Sequence, residues 1–223
     1  MRDLERKLTT EQLAEYASLF ELFKKILAQK RGDQHKIYSL HEPHVQCMSK
    51  GKEHKKYEFG SKVSIARTRN SGVIVAALNI EKNVYDAHTL KPTLAQYQKL
   101  HNKVPRKAIV DLGYQGVRQV GATQIVQPRT PLIKQNAYQK QKRKEDLQRR
   151  AAIEPTIGHL KQNYRLGRNF YKGIVGDQIN VMLAAAAYNF KRVINQVLKG
   201  DLTFLFDFLN RLFTFPVHPI SLN

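Results

Sequence analysis

The apolar run GVIVAALNI, residues 72–80, places the strongest constraint on the fold. Nearly every residue in it is apolar, which is typical of a strand buried on both faces. The preceding segment, YEFGSKVSIART at 57–68, alternates apolar and polar residues at Phe59, Val63 and Ile65. Turn-forming residues, RNSG at Arg69–Gly72, separate the two runs. The pattern therefore predicts an antiparallel β-hairpin.

One helix and two further short strands are predicted after this hairpin. Residues 88–101 read as a helix with Pro92 in its first turn, where proline is tolerated. The apolar segment KAIV predicts a short strand that ends at Asp111, and Gln124–Pro128 predicts another. The order of strands and helix favours an α/β (α+β) fold in which helices flank a mixed sheet.

Helical periodicity marks both ends of the chain. Residues 10–30 predict an amphipathic helix capped by Thr9 or Thr10, and residues 36–56 read as an irregular basic connector. Residues 134–150 predict a helix or a basic arm, and residues 151–164 continue helically. The clearest helix spans residues 177–198, with Asp177 as its N-cap. Its predicted core-facing residues are Ile179, Met182, Leu183, Ala186, Phe190, Ile194 and Val197.

These patterns divide the chain into three parts. Residues 1–35 form an N-terminal helix and linker, residues 36–200 form the main domain, and residues 201–223 form an apolar tail that is predicted to be helical. No run of about 18 apolar residues occurs, so no membrane span is expected. The single cysteine, Cys47, cannot form an internal disulfide, which fits a reducing cytoplasm.

The charge of the chain points to a polyanionic partner. Lys and Arg total 38 against 18 Asp and Glu, which gives a net charge of +20. Nucleic acid is the first expectation for such a chain, ahead of a membrane. A zinc site at His41, His44, Cys47 and His54 is disfavoured, because their spacing matches no compact ligand scheme and histidines in polar loops are usually solvated.

Two carboxylates are candidates for chemistry. Asp111 follows a short strand and precedes Gly113 and Gly116, so it either lies at a ligand-binding rim or caps the next helix. Glu154 stands among basic residues beside Pro155, which favours a kink or a helix start there. It either forms ordinary salt bridges or holds a divalent metal while the cations bind phosphates. In a helix, Arg150, Glu154, Gly158 and Lys161 would share one face.

Two motifs resemble the catalytic region of DDE transposases of bacterial insertion sequences, in the IS4/IS5 superfamily. VDLGYQG at 110–116 is similar to the box around the second catalytic Asp, which corresponds to Asp111. The third acid of that family is the Glu in a signature of Tyr, two residues, Arg, three residues, Glu, six residues and Lys. Arg150, Glu154 and Lys161 match it, whereas Leu147 stands at the Tyr position. The similarity spans about residues 36–195.

The resemblance implies an RNase H-like fold, a nucleoid-associated bacterial enzyme and a homodimer that acts on DNA. It implies that Asp111 and Glu154 bind Mg²⁺ (or Mn²⁺), and that phosphodiesters at insertion-sequence ends are cleaved and transferred. The residues it assigns to DNA phosphates are Arg150, Lys161, Arg165 and Arg168.

The same resemblance predicts an incomplete set of acids. The first catalytic Asp of the family lies on an upstream strand, and neither Asp3 nor Asp33 follows a β-like run. Asp86 lies beyond the second hairpin strand, which is the wrong place for that acid. We therefore expect a C-terminal part of a transposase that lacks the first strand and has weak or no activity alone. The alternatives are a non-catalytic DNA-binding remnant and an unrelated basic RNA-binding protein.

Overall fold

The computed structural model describes residues 1–53, 55–128 and 136–200. Its helices are α1 (Arg2–Glu5), α2 (Thr10–Glu15), α3 (Ala17–Ala28), α4 (Asp86–His101), α5 (Ala137–Arg150), α6 (Ile153–Asn163) and α7 (Gly173–Leu198). Its strands are β1 (Gln46–Lys52), β2 (Lys55–Gly60), β3 (Lys62–Arg67), β4 (Ile74–Ile80), β5 (Lys107–Ile109), β6 (Gln119–Val120) and β7 (Thr123–Val126). This composition confirms the α+β class. Among these helices, none combines the length and the apolarity that crossing a membrane requires.

The strands form three small sheets within the described residues. β1 pairs with β2, and β3 pairs with β4, both in antiparallel orientation. In the third sheet, β7 lies between β5, to which it is parallel, and β6, to which it is antiparallel. The expected mixed pairing is therefore found in the sheet that leads to Asp111, and the predicted hairpin is found as β3 and β4.

The N-terminal part confirms one local prediction and corrects two. The Thr9 side chain caps α2 in a reciprocal arrangement with Gln12, as its position in the sequence predicted. The expected single helix is divided at Tyr16 into α2 and α3. The connector predicted to be irregular contains β1, because its polar residues pair with β2 across a half-exposed hairpin.

The main core lies between α7 and the β3–β4 hairpin. Its buried residues include Ile74 and Ala77 of β4, Leu160 of α6, and Val181 and Tyr188 of α7. A second cluster joins α4 to the third sheet through Leu90, Val110 and Ile125. Ile74, Ala76 and Ala77 of β4 are buried, whereas its other residues are half-buried and β4 lies in a two-stranded sheet, so the prediction of a strand buried on both faces is confirmed only in part.

The predicted core-facing side of α7 is wrong. Its buried residues are Gly176, Val181, Ala184, Ala185, Tyr188 and Val193. Five of the predicted core residues are instead exposed: Ile179, Met182, Leu183, Phe190 and Ile194. Alanines let the helix lie close to β4, so the side with the smaller residues packs on the sheet while the bulkier apolar stripe faces outward. The helix also begins at Gly173 with Lys172 as N-cap, so Asp177 is not its cap.

Three amide side chains bond the main chain of β4 and thereby cover its outer edge. Gln96 of α4 accepts from the Ala77 nitrogen at 2.7 Å and donates to the Ala77 oxygen at 3.1 Å. Gln178 also donates to that oxygen at 3.1 Å. Asn189 accepts from and donates to the main chain of Ile74, both at 2.8 Å. These amides supply the bonds that a further strand would make.

A two-residue turn separates α5 from α6. Ala151 and Ala152 form a turn, and α6 begins at Ile153, two residues before Pro155. This is the helix start that Pro155 predicted, because proline fits the first turn of a helix. The interruption also means that Arg150 and Glu154 belong to different helices. The predicted helix at 201–223 lies outside the described residues.

Candidate functional site

Asp111 stands where β5 ends. It follows Val110, whose nitrogen donates to the Val126 oxygen at 2.9 Å and so continues the pairing with β7. The Asp111 side chain caps a short 3-10 turn at Leu112–Tyr114 by accepting from the Leu112 nitrogen. The carboxylate is 60% exposed, so capping leaves it accessible. Both interpretations of Asp111, as a cap and as a rim residue, are therefore compatible with its position.

The guanidinium of Arg150 faces Asp111. Its Nη1 lies 3.5 Å from Asp111 Oδ2, and Arg150 is the last residue of α5. On the same helix, Asp146 Oδ1 is 2.9 Å from Arg69 Nη2, which ties α5 to the turn of the β3–β4 hairpin. The contact with Asp111 therefore holds the end of α5 against the third sheet. Two residues that the resemblance assigned to the site are thus brought together.

Glu154 lies in the first turn of α6 and is exposed. The start of this helix is anchored by Arg67 of β3, whose Nη1 donates to the Ala152 oxygen and to the Thr156 hydroxyl, both at 2.6 Å. Burial lowers the pKa of the Arg67 guanidinium, and the neighbouring cation of Arg192 acts in the same direction. Arg67 therefore positions the helix that carries Glu154.

Lys161 lies two turns further along α6. Its Nζ is 3.7 Å from Glu58 Oε2, a carboxylate of β2. The side chain of Lys161 is about half exposed, so it can also reach a ligand. This pairing links α6 to the β1–β2 hairpin.

Asp111, Arg150 and Lys161 line one cavity of about 1170 Å³. Its walls include unbroken runs of residues, 62–69 at β3 and 107–111 at β5. Since successive strand residues point to opposite faces, an unbroken run shows that the cavity follows the edges of these strands. The volume exceeds the roughly 300–1,000 Å³ that is usual for small-molecule pockets. The cavity can therefore accommodate a ligand larger than a typical small molecule.

Glu154, Arg165 and Arg168 are not among the residues that line this cavity. All three are exposed. Arg165 has a left-handed backbone with φ of 57°, and its oxygen accepts from the Arg168 nitrogen at 3.0 Å. The two arginines therefore belong to a folded turn after α6, and the six predicted residues divide into three in the cavity and three beside it.

Sequence reasoning missed the place of Asp86 in this cavity. Asp86 begins α4, lines the cavity and pairs with Lys62 Nζ at 2.8 Å. Its carboxylate lies against Gly113, where an added Cβ would be 2.8 Å from Asp86 Oδ2. Gly113 therefore lets the turn after Asp111 approach α4. The sequence contains no local signal for this contact, because Asp86 and Gly113 belong to different elements that are far apart along the chain.

The described residues do not complete a metal site. Carboxylates have the oxygen ligands that Mg²⁺ prefers, so Asp111 and Glu154 have suitable chemistry. In residues 1–53, 55–128 and 136–200, however, no three His, Cys, Asp or Glu side chains are grouped so that they could hold a metal ion. Asp111 contacts a guanidinium instead.

His44, one of the residues considered for a zinc site, contacts two carboxylates. Its Nε2 lies 3.1 Å from Asp177 Oδ2, and its Nδ1 lies 3.4 Å from Glu42 Oε2. His54 lies outside the described residues. His44 therefore joins the segment before β1 to α7.

Comparison with protein families identifies the chain. A family model described as the transposase DDE domain matches residues 30–190. The chain belongs to the DDE transposase family. A search of curated proteins found no significant match, and neither did a search of solved structures. The matched segment contains both carboxylates and all four basic residues that the motifs singled out.

Membership in this family implies a role in transposition, with DNA as the substrate. It also excludes the interpretation as an unrelated RNA-binding protein. The high positive charge of the chain agrees with a DNA substrate.

Proposed function

We propose that residues 36–200 form the part of a DDE transposase, of the IS4/IS5 type, that cuts and joins phosphodiesters at insertion-sequence ends. The observation that carries this proposal is the position of Asp111. It is an accessible carboxylate at the end of β5, on a cavity that Arg150 and Lys161 also line. A DNA backbone would find anion-binding groups and a carboxylate in one place.

The residues have separate roles in this proposal. Arg150, Lys161, Arg165 and Arg168 contact DNA phosphates, and Arg67 holds the start of α6 so that Glu154 keeps its position. Asp111 and Glu154 are the acids that would hold Mg²⁺ or Mn²⁺. Such an ion supplies an activated oxygen nucleophile and stabilises the leaving oxygen.

Weak activity of this chain alone is part of the proposal. Two carboxylates are a poor ligand set, and the described residues contain no group of three His, Cys, Asp or Glu side chains that could hold a metal ion. The same observation favours a second candidate function, DNA binding without cleavage. A chain of this kind would occupy transposon ends and so compete with, or complement, a complete transposase.

Nicking of supercoiled plasmid in Mg²⁺ or Mn²⁺ tests the proposal. The chain is compared with the variants Asp111→Asn and Glu154→Gln, which remove charge and preserve shape. Glu11→Gln in α2 is a matched control, because Glu11 lies outside the segment that matches the family. We expect weak nicking that both site variants abolish and the control leaves unchanged.

Three results have different meanings. Strong nicking that depends on both acids would support the site and refute the weak activity. Nicking that survives both substitutions would refute the site. Salt-dependent DNA binding with no nicking above a protein-free control would favour the second candidate.

A further inference from the structure

The loop between α6 and α7 presents an aromatic ring to solvent. Phe170 is 75% exposed, and the guanidinium carbon of Arg165 lies 5.6 Å from its ring centroid. Phe170 also lines the cavity that contains Asp111. A large apolar ring that is exposed at the rim of a candidate site indicates a binding surface.

The sequence around this ring is strongly basic, although the carboxylates of Glu42 and Asp177 bond to the loop at Gly173 and Asn169. Between Glu154 and Asp177 the sequence contains no Asp or Glu, whereas Arg165, Arg168 and Lys172 lie close to Phe170 in sequence. Such a combination of cations and an exposed ring is the chemistry that binds single-stranded nucleic acid. Cations bind the backbone, and the ring provides a face on which a base can stack.

The loop backbone is fixed although the ring is exposed. Asn169 Nδ2 donates to Asp177 Oδ1 at 2.6 Å, and Asn169 Oδ1 accepts from the Tyr171 nitrogen at 2.9 Å. The main chain of Tyr171 packs on Gly176, where an added Cβ would lie 2.8 Å from the Tyr171 carbonyl carbon. The backbone that carries the ring is therefore ordered before a ligand binds, which lowers the entropic cost of binding.

From this geometry we infer that Phe170, together with Arg165, is a stacking platform for an unpaired base of a DNA strand that enters the cavity. The inference rests on the proposed function, because it takes DNA as the ligand. It adds that the protein distinguishes DNA with unpaired bases beside the cavity from continuous duplex. A base pair inside a duplex is already stacked on both faces, so an unpaired base offers the ring a face that an internal base pair lacks.

Two DNA probes test the inference with the full chain. One is a blunt duplex, and the other is the same duplex with a short single-stranded overhang that carries 2-aminopurine next to the junction. Fluorescence anisotropy gives the affinities, and quenching of 2-aminopurine reports stacking directly. The variants are Phe170→Ala, Phe170→Leu, which keeps apolar volume without a ring, and Phe170→Trp, which keeps a ring.

The matched control is Tyr138→Ala. Tyr138 of α5 is also an exposed aromatic, 71% accessible, with Lys142 Nζ 5.7 Å from its ring centroid. It does not line the cavity. A general effect of exposed aromatic–cation pairs would therefore appear in both positions.

We expect Phe170→Ala and Phe170→Leu to bind the overhang probe about tenfold more weakly and to lose the quenching, while their affinity for blunt duplex is unchanged. Phe170→Trp and Tyr138→Ala should behave like the wild type. The inference is overturned if Phe170→Ala weakens both probes equally, or if quenching persists. If the wild type binds neither probe, both the inference and the proposed function are refuted. If the wild type binds both probes with equal affinity, only the inference is refuted.

Discussion

The contact between Arg67 and Thr156 supports a quantitative prediction about α6. Thr156 is 1% exposed, and its hydroxyl also donates to the Ala152 oxygen at 2.9 Å. Arg67 donates to both groups at 2.6 Å. A hydrogen bond to a charged group contributes about 1.5–3 kcal/mol. The desolvation of the guanidinium, which also lowers its pKa, offsets part of the stabilisation that these two bonds contribute.

We expect Arg67→Met to lower the free energy of unfolding by about 2–4 kcal/mol. Thr156→Val keeps the bond from Arg67 to Ala152 but removes both bonds of the Thr156 hydroxyl, to Arg67 and to Ala152, and should cost about 1–3 kcal/mol. Because both variants remove the same Arg67–Thr156 bond, the double variant should cost less than the sum by about 1–2 kcal/mol. Arg67→Lys keeps the charge without the planar pair of donors, so it should fall between wild type and Arg67→Met.

Urea unfolding followed by far-ultraviolet circular dichroism gives these free energies. The interpretation requires equal slopes with urea for the wild type and all four variants, because a changed slope indicates a changed unfolded or native state. Additivity within about 0.5 kcal/mol would show that the two side chains do not interact, and it would refute the Arg67–Thr156 contact as part of the anchor of α6.

Three further predictions concern packing, the loop and DNA binding. Leu160→Ala should lower the free energy of unfolding by about 3 kcal/mol, and Leu183→Ala by no more than about 0.5 kcal/mol, since the first side chain is 1% and the second 52% exposed; similar values from urea unfolding would contradict the orientation of α7. Gly176→Ala should cost about 1–3 kcal/mol by forcing Tyr171 away, whereas Gly158→Ala, with open space around it, should stabilise by about 0.5–1 kcal/mol in the same measurement; equal effects would refute the tight contact. Arg168→Gln should reduce the slope of log affinity for duplex against log salt by about 1, and an unchanged slope would show that Arg168 contacts no phosphate.

Local patterns in the sequence predicted the elements that depend on neighbouring residues. The turn at Arg69–Gly72 and the alternation before it predicted the hairpin, and the start of α6 followed from Pro155. The position of Asp111 after a short strand was also predictable, because apolar residues and glycines mark where a strand ends.

The orientation of α7 and the partners of Arg67 depend on which elements pack together, and the sequence does not show this packing. α7 has apolar residues on more than one side, so periodicity alone did not reveal that Ala184 and Ala185 face β4 while Leu183 and Phe190 face solvent. Arg67 looked like an ordinary basic residue at a strand end, and its partners are 85 and 89 positions away. Residues that act across such distances leave no local pattern.

The amides that cover the outer edge of β4 also affect how readily the protein aggregates. A strand edge with free N–H and C=O groups can recruit another chain and start aggregation. Gln178 and Asn189 belong to α7, so a fluctuation that lifts this helix opens the core and uncovers the main chain of Ile74 and the Asn79 nitrogen in one event. Gln96 of α4 keeps its two bonds to Ala77. The exposed edge would belong to the most apolar segment of the hairpin. Loss of α7 contacts would therefore expose a strand edge from which insoluble aggregates can grow.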